Sequence, residues 1–137
     1  MHRFAMKKSL YEKLVKLVKA RDKSLAFVYQ KYIGEMPPPY GGEVHHIVFR
    51  SAGGPDKEDN LILLSLGMHE YGIHVAMRRE RKKNEGNFKA YLQSEEVKAW
   101  RERHWEELQT LYRKTEEDLI EEKRKKCLPK KRPGLPY

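Results

Sequence analysis

Histidine is concentrated in one stretch of this 137-residue chain, where four of the six histidines lie between positions 45 and 74. His45 and His46 are adjacent, and His69 and His74 follow after a second apolar run. Imidazole nitrogens are common metal ligands, and a metal-free imidazole is the commonest general base near neutral pH. A histidine that binds a divalent ion beside one that stays metal-free is the minimum equipment for hydrolysing a phosphodiester bond.

Two short strands are predicted to position this cluster. Residues 43–49 are rich in β-branched and aromatic types and predict one strand, and residues 61–64 are a short apolar run that predicts a second, buried one. Adjacent residues of a strand point to opposite sides, so His45 and His46 are not expected to be equivalent ligands of one site. A strand end or a bulge would turn both toward one cavity in different roles.

A loop and a helix are predicted around these strands. The loop of residues 51–59 contains Gly53-Gly54-Pro55-Asp56, which is typical of turns. Helical character returns from Met68 to about Lys83 and is expected to break at Asn84–Asn87, before a short helical piece over Phe88–Leu92. The order is therefore strand, loop, strand and helix.

The same region resembles the motif of HNH endonucleases. Its first part is Glu43-Val-His45-His46-Ile-Val-Phe-Arg50-Ser-Ala-Gly53-Gly54, and its second part is Asp59-Asn60-Leu-Ile-Leu-Leu-Ser65-Leu-Gly-Met-His69. The paired histidines, the Gly-Gly loop, the Asn-Leu pair and a histidine nine residues after the asparagine occur in the family's order. The resemblance covers about residues 40–80 and implies a ββα-metal core of two antiparallel strands and a helix around one divalent ion.

The resemblance implies a role for each motif residue. His45 would be a metal ligand, His46 the general base, Asn60 the amide that braces the loop and aims the base, and His69 the second metal ligand. Taken alone, each has a structural alternative as a half-buried histidine or a turn asparagine. His74 is a further candidate ligand. It lies five residues after His69, about 140° around an ideal helix, whereas some relatives carry a third ligand four residues after, so its role stays open.

The implied cofactor is one divalent ion, expected to be Mg²⁺ or Mn²⁺, although imidazole ligands also accept Ni²⁺, Co²⁺ or Zn²⁺. Many family members also bind a structural zinc through cysteine pairs, but Ser65 and Met68 stand at the corresponding positions before the last motif histidine. We therefore expect no structural zinc. Packing by an N-terminal helix and a long C-terminal helix is expected to stabilise the core instead.

The charge distribution points to a polyanionic partner. The chain has a net charge of +9 and a pI near 9.6, and its acidic middle, residues 35–75, is flanked by basic segments over 1–34 and 76–93. Lysine and arginine bind the phosphate backbone, so this arrangement suits a DNA-cleaving enzyme with a central cation site. Solvated helix faces are the alternative for any one segment. The candidate DNA-binding residues are Arg50, Arg78, Arg79 and Lys82, of which the last three could equally complement a helix dipole.

Helices are predicted on both sides of the core. Residues 10–33 have helical spacing and predict one helix, or two broken near Asp22. Ser94 is a suitable N-cap for a long helix with a narrow apolar stripe. That stripe is expected to pack on the first helix or on a second copy of the chain, which would make a homodimer. Residues 127–137 predict a basic, flexible tail after a single domain over residues 1–126.

Composition excludes several classes of protein. The length suits one domain, and the single cysteine, Cys127, excludes an internal disulfide framework. No apolar run approaches the roughly 20 residues of a membrane-spanning helix, so we expect no membrane partner and a cytoplasmic location in a bacterial cell. Compact HNH proteins of this kind are similar to phage or prophage products, and phage packaging proteins are candidate partners by that analogy alone.

The sequence thus predicts an α+β, mostly helical protein with a ββα-metal HNH core, acting as a metal-dependent endonuclease that nicks DNA one strand at a time. Three alternatives remain open. The chain could be a non-catalytic, DNA-binding HNH-like module, a structural protein with a histidine-rich metal clip, or an enzyme that prefers RNA.

Overall fold

The computed structural model describes residues 4–65 and 78–127, with side chains from residue 83 onward in the second range. The described part is α+β and mostly helical, which confirms the predicted class. Its helices are α1 (Lys8–Ser24), α2 (Ala26–Ile33), α3 (Arg78–Leu92), α4 (Glu95–Arg103) and α5 (Trp105–Cys127). Two strands, β1 (Glu43–His46) and β2 (Leu61–Leu64), form one small sheet. No helix in these ranges is long and apolar enough to cross a membrane.

The N-terminal helical segment divides into α1 and α2 at Leu25, which is one of the two predicted outcomes. Leu10, Leu14 and Val18 recur at helical spacing and are buried, so their packing stabilises α1. The second helix ends at Ile33 and is capped by Gly34, whose φ of 93° is a left-handed conformation that glycine adopts without steric cost.

The strands pair antiparallel with His45 opposite Ile62 and His46 opposite Leu61. The first strand is shorter than the predicted 43–49, because the chain turns back on itself after Ile47. A Cβ on Gly54 would lie 1.7 Å from the carbonyl oxygen of Val48, so only glycine allows this close approach. The first strand therefore ends where the following loop packs, at Gly54, against the backbone of Val48.

Two corrections apply to the helices after the sheet. The predicted break at Asn84–Asn87 is wrong, since α3 continues through these residues to Leu92. Burial of Phe88 and Tyr91 outweighs the roughly 1 kcal/mol that Gly86 costs inside a helix. The predicted single helix after Ser94 is also wrong, because the chain turns at His104. The turn lets α4 and α5 both contribute side chains to one apolar cluster. Ser94 does cap α4, as predicted, by accepting a hydrogen bond from the Val97 amide.

The hairpin lies between two apolar clusters. Ile62 and Leu64 of β2 pack with side chains of α2 and α3. Leu61, on the opposite face, packs with side chains of α1, α4 and α5. The apolar stripe of α5, which includes Leu108 and Leu111, is buried in this second cluster. The stripe therefore packs within the chain, as one of its two predicted alternatives requires, and a homodimer through it has no support.

The outer edge of β2 is covered by polar side chains of α1. Arg21 donates from Nη1 to the carbonyl of Glu58 at 2.7 Å and from Nη2 to that of Leu61 at 2.6 Å. Asp22 accepts a hydrogen bond from the amide of Leu63 at 2.8 Å. These two neighbours are fully buried and paired with each other at 2.8 Å. Their side chains bond the backbone groups of β2 that a third strand would otherwise pair with, and they thereby attach the hairpin to α1.

The C-terminal helices hold the end of the loop. Arg101 of α4 binds the carboxylate of Glu58 at 2.8 Å, and the Tyr112 hydroxyl of α5 accepts a hydrogen bond from the Glu58 amide at 2.9 Å. Burial raises the pKa of Glu58, against the lowering effect of Arg101. The N-terminal helix and both helices that replace the predicted single C-terminal helix therefore contact the hairpin and its loop.

Candidate functional site

The two adjacent histidines of β1 lie on opposite faces of the hairpin. His45 is 4% exposed and makes an edge-to-face contact with Phe49, with ring centroids 5.5 Å apart. His46 stacks on Tyr11 of α1, with ring planes 14° apart and centroids at 5.9 Å. Strand alternation explains the divergence, because His45 shares its face with Ile62 whereas His46 faces α1. The two rings therefore face different sides of the hairpin, and the described residues contain no strand end or bulge that turns both toward one cavity.

His46 is held by a buried carboxylate. Its Nε2 lies 2.7 Å from Oδ1 of Asp56, whose side chain is only 1% exposed. Arg50 approaches the same pair, with its Nε 3.6 Å from Oδ1 of Asp56 and its guanidinium 4.8 Å from the centroid of the Tyr11 ring. The side chain of His46 itself is 11% exposed. Four side chains, Tyr11, His46, Arg50 and Asp56, therefore form one contiguous cluster, named here the His46 cluster.

The N-terminal segment positions Asp56. Its Oδ2 accepts a hydrogen bond from the Met6 amide at 2.9 Å, and its own amide donates to the Phe4 carbonyl at 2.7 Å. Burial alone would raise the pKa of Asp56, but hydrogen bonds from His46 and Met6 and the charge of Arg50 together hold it below its ordinary value. Asp56 is therefore stabilised as a carboxylate that accepts hydrogen bonds.

Asn60 braces the loop between the strands, in the position expected of it. Its Oδ1 accepts from the Val48 amide at 2.8 Å. Its Nδ2 donates to the carbonyls of Val48 at 3.1 Å and Pro55 at 3.0 Å. Since Pro55 precedes Asp56, the amide of Asn60 fixes the backbone next to the carboxylate that contacts His46.

The remaining predicted residues fall partly or wholly outside the described part. His69 and His74 lie in residues 66–77, which the structure does not describe. The backbone of Arg78, Arg79 and Lys82 belongs to α3, and their side chains are likewise outside the description. Arg50 is described, with about half of its side chain exposed next to the His46 cluster. The structure thus brings together His46 and Arg50 of the predicted set, with Asn60 in the adjoining loop, whereas His45 lies on the other face of the hairpin.

The predicted metal ion would need ligands both from the residues that the structure describes and from residues 66–77. Among residues 4–65 and 78–127, no group of three or more His, Cys, Asp or Glu side chains is arranged to hold one. His45 is the predicted ligand that these ranges contain, and His69 is outside them. The metal site therefore stays a prediction.

Asp56 and Tyr11 are site residues that the sequence did not single out. Asp56 belongs to the predicted turn Gly53-Gly54-Pro55-Asp56, and Tyr11 lies within the predicted helical segment 10–33 without a role of its own. Their contacts with His46 depend on how the loop and α1 pack against β1, and no fixed spacing relates them to the histidine. The one usable signal was an aspartate directly after Gly53-Gly54-Pro55 and four residues before Asn60.

Comparisons with family models, curated proteins and solved structures give no match for this chain.

Proposed function

We propose that this protein is a metal-dependent HNH-type endonuclease that hydrolyses phosphodiester bonds of DNA, nicking one strand per event in the cytoplasm of a bacterial cell. The observation that carries the proposal is the His46 cluster. It joins a strand histidine to a buried carboxylate, on a loop that Asn60 braces from within. A general base needs a fixed orientation and a hydrogen-bond partner for its second nitrogen, and this arrangement supplies both.

The chain's own residues would act as follows. His46 takes a proton from water, the water oxygen forms a bond to phosphorus, and the bond from phosphorus to the sugar oxygen breaks, with solvent protonating the leaving oxygen. Arg50 contacts a neighbouring phosphate oxygen. His45 and His69 would hold the divalent ion, which when bound neutralises charge on the phosphate and on the leaving oxygen.

The test is the nicking of supercoiled plasmid by the full chain in the presence of Mg²⁺, Mn²⁺, Ni²⁺, Co²⁺ or Zn²⁺, with and without a chelator. We expect open-circle DNA with at least one ion and none with the chelator. His46→Ala should abolish nicking. His104→Ala is the matched control, since His104 lies outside the His46 cluster and contacts Trp100 and Glu107 instead. Equal nicking by the parent and His46→Ala would overturn the proposal.

A non-catalytic DNA-binding module is the second candidate. It is favoured by the low exposure of His46 and by its short contact with Asp56, which also suit a purely structural histidine. This candidate predicts that the parent chain binds duplex DNA at low salt but never converts supercoiled plasmid with any of the five ions. The same plasmid assay, combined with a binding measurement, separates the two.

A further inference from the structure

We propose that Asp56 is a positioning residue for His46, and that it holds the imidazole in the form that carries its hydrogen on Nε2 and leaves Nδ1 to accept a proton from water. The inference rests on the proposed nuclease function and assigns a role to a residue that the HNH resemblance left as part of a turn. It also gives the N-terminal segment of the chain a part in the active site.

The hydrogen-bond geometry decides which ring nitrogen of His46 is free to accept a proton. A carboxylate only accepts hydrogen bonds, so the 2.7 Å contact between Oδ1 of Asp56 and Nε2 of His46 requires a hydrogen on Nε2. Arg50 also approaches Nε2, at 3.4 Å. A guanidinium can only donate, so that contact would need a bare Nε2, but it is 0.7 Å longer than the contact with Asp56. The Arg50 guanidinium lies 3.6 Å from Oδ1 of Asp56 and complements the charge of that carboxylate instead. In the neutral ring, Nδ1 is then the basic nitrogen.

The carboxylate is fixed from the side opposite His46. Its second oxygen, Oδ2, accepts from the amide of Met6, and its backbone amide donates to Phe4. Both oxygens of Asp56 are thus committed, one to the histidine and one to the N-terminal segment. Tyr11 stacks on the His46 ring and restricts its rotation. Residues 4–11, which lie outside the resemblance to HNH proteins, therefore orient the proposed base.

Because each carboxylate oxygen of Asp56 already has its own hydrogen-bond partner, Asp56→Asn is an informative substitution. The Met6 amide requires an acceptor, so the single oxygen of the new side chain should face Met6 and its NH₂ group should face Nε2 of His46. Nε2 must then accept, which moves the ring hydrogen to Nδ1 and removes the proposed base. In a serine protease triad the equivalent change lowers kcat about 10⁴-fold by the same exchange of tautomers.

The experiment compares the parent chain, Asp56→Asn and Asp59→Asn. Asp59 is an exposed carboxylate of the same loop, so the second variant removes the same charge without touching His46. Plasmid nicking is measured at several DNA concentrations. NMR of the imidazole nitrogens, at a pH where the ring is neutral, reports which nitrogen of His46 carries the hydrogen. We expect Asp56→Asn to lose at least about 100-fold in kcat with little change in KM and to carry the hydrogen on Nδ1.

Each outcome bears on the proposal. Wild-type kcat in Asp56→Asn, or an equal loss in Asp59→Asn, would overturn it. If Asp56→Asn does not fold, the parent decides: an Nε2 hydrogen protected from exchange with water supports the assignment, and a ring protonated on Nδ1 refutes it. If no chain nicks DNA with any ion, the nuclease proposal fails, whereas the NMR result still tells whether Asp56 sets the tautomer.

Discussion

The side-chain amide of Asn60 makes three hydrogen bonds to the loop that it closes and is 6% exposed. Replacing it with alanine leaves the Val48 amide and the carbonyls of Val48 and Pro55 without these partners. Unpaired buried polar groups cost about 1–3 kcal/mol each, with partial relief where water can enter. We therefore expect Asn60→Ala to lower the free energy of unfolding by about 2–3 kcal/mol, measured by urea denaturation.

The control for this prediction is Gln30→Ala. Gln30 carries the same amide group on the exposed side of α2, so its removal should change stability by less than about 0.5 kcal/mol. Equal stability of Asn60→Ala and the parent would contradict the bracing role of Asn60.

Asp56 also makes stability depend on pH. Its folded-state pKa lies below the ordinary value of 3.8, so the unfolded chain binds a proton more tightly there than the folded chain does. The contribution of Asp56 is therefore fully present above pH 3.8 and is lost as the pH falls through the lower, folded-state pKa. We expect the stability difference between the parent and Asp56→Asn to shrink on acidification from about pH 6 to about pH 3, as measured by urea denaturation at each pH. A stability difference that stays the same at every pH would contradict this prediction.

At the scale of elements, α1 and β2 are joined by the pair of Arg21 and Asp22. The carboxylate of Asp22 accepts hydrogen bonds from the Leu63 amide and the Tyr91 hydroxyl and pairs with Arg21, all in a fully buried setting. Asp22→Ala leaves the guanidinium buried without its counter-ion. We expect it to lower the free energy of unfolding by about 3–5 kcal/mol, measured by chemical denaturation.

A surface ion pair provides the matched control. Asp118 of α5 binds Lys7 at 3.1 Å, with both side chains partly exposed to water. Exposed pairs contribute little, so Asp118→Ala should lower stability by less than about 1 kcal/mol. Comparable losses from the two aspartate substitutions would show that the edge of β2 does not depend on Asp22.

At the scale of the whole molecule, the net charge of +9 bears on the proposed binding of DNA. If the four predicted cationic residues each neutralise one phosphate, the logarithm of affinity should fall by about 3.6 per tenfold rise in salt. Affinity should then drop about 100-fold between about 50 mM and about 200 mM NaCl, measured by fluorescence anisotropy with a labelled duplex.

Arg50→Ala should reduce that salt slope by about one, because it removes one phosphate contact. Lys98→Ala is the control, since Lys98 is an exposed cation of α4 next to Glu95 and is not among the predicted contacts. An affinity for DNA that does not change with salt would exclude phosphate binding by the four predicted cationic residues.

Hydrophobic periodicity and turn residues are local signals, and they determined the class of the protein, both strands and the cap at Ser94, whereas they left open whether the first helical segment divides. The bracing role of Asn60 was implied by the resemblance to the HNH motif, and its hydrogen bonds to Val48 and Pro55 agree with that role. The break at Asn84–Asn87 was predicted wrongly, because burial of Phe88 and Tyr91 overrides the local preference of these residues. The turn at His104 was not predicted.

Only the tertiary structure decided what surrounds His46. Asp56 reaches its ring because the loop between the strands folds back, held by hydrogen bonds with Met6 and Phe4. Tyr11 reaches it because α1 packs against the hairpin. The same packing buries Arg21 and Asp22 along the edge of β2, where a pattern of charged residues alone would predict exposure. Sequence spacing encodes neighbours within one element, whereas contacts between elements follow from which faces become buried together.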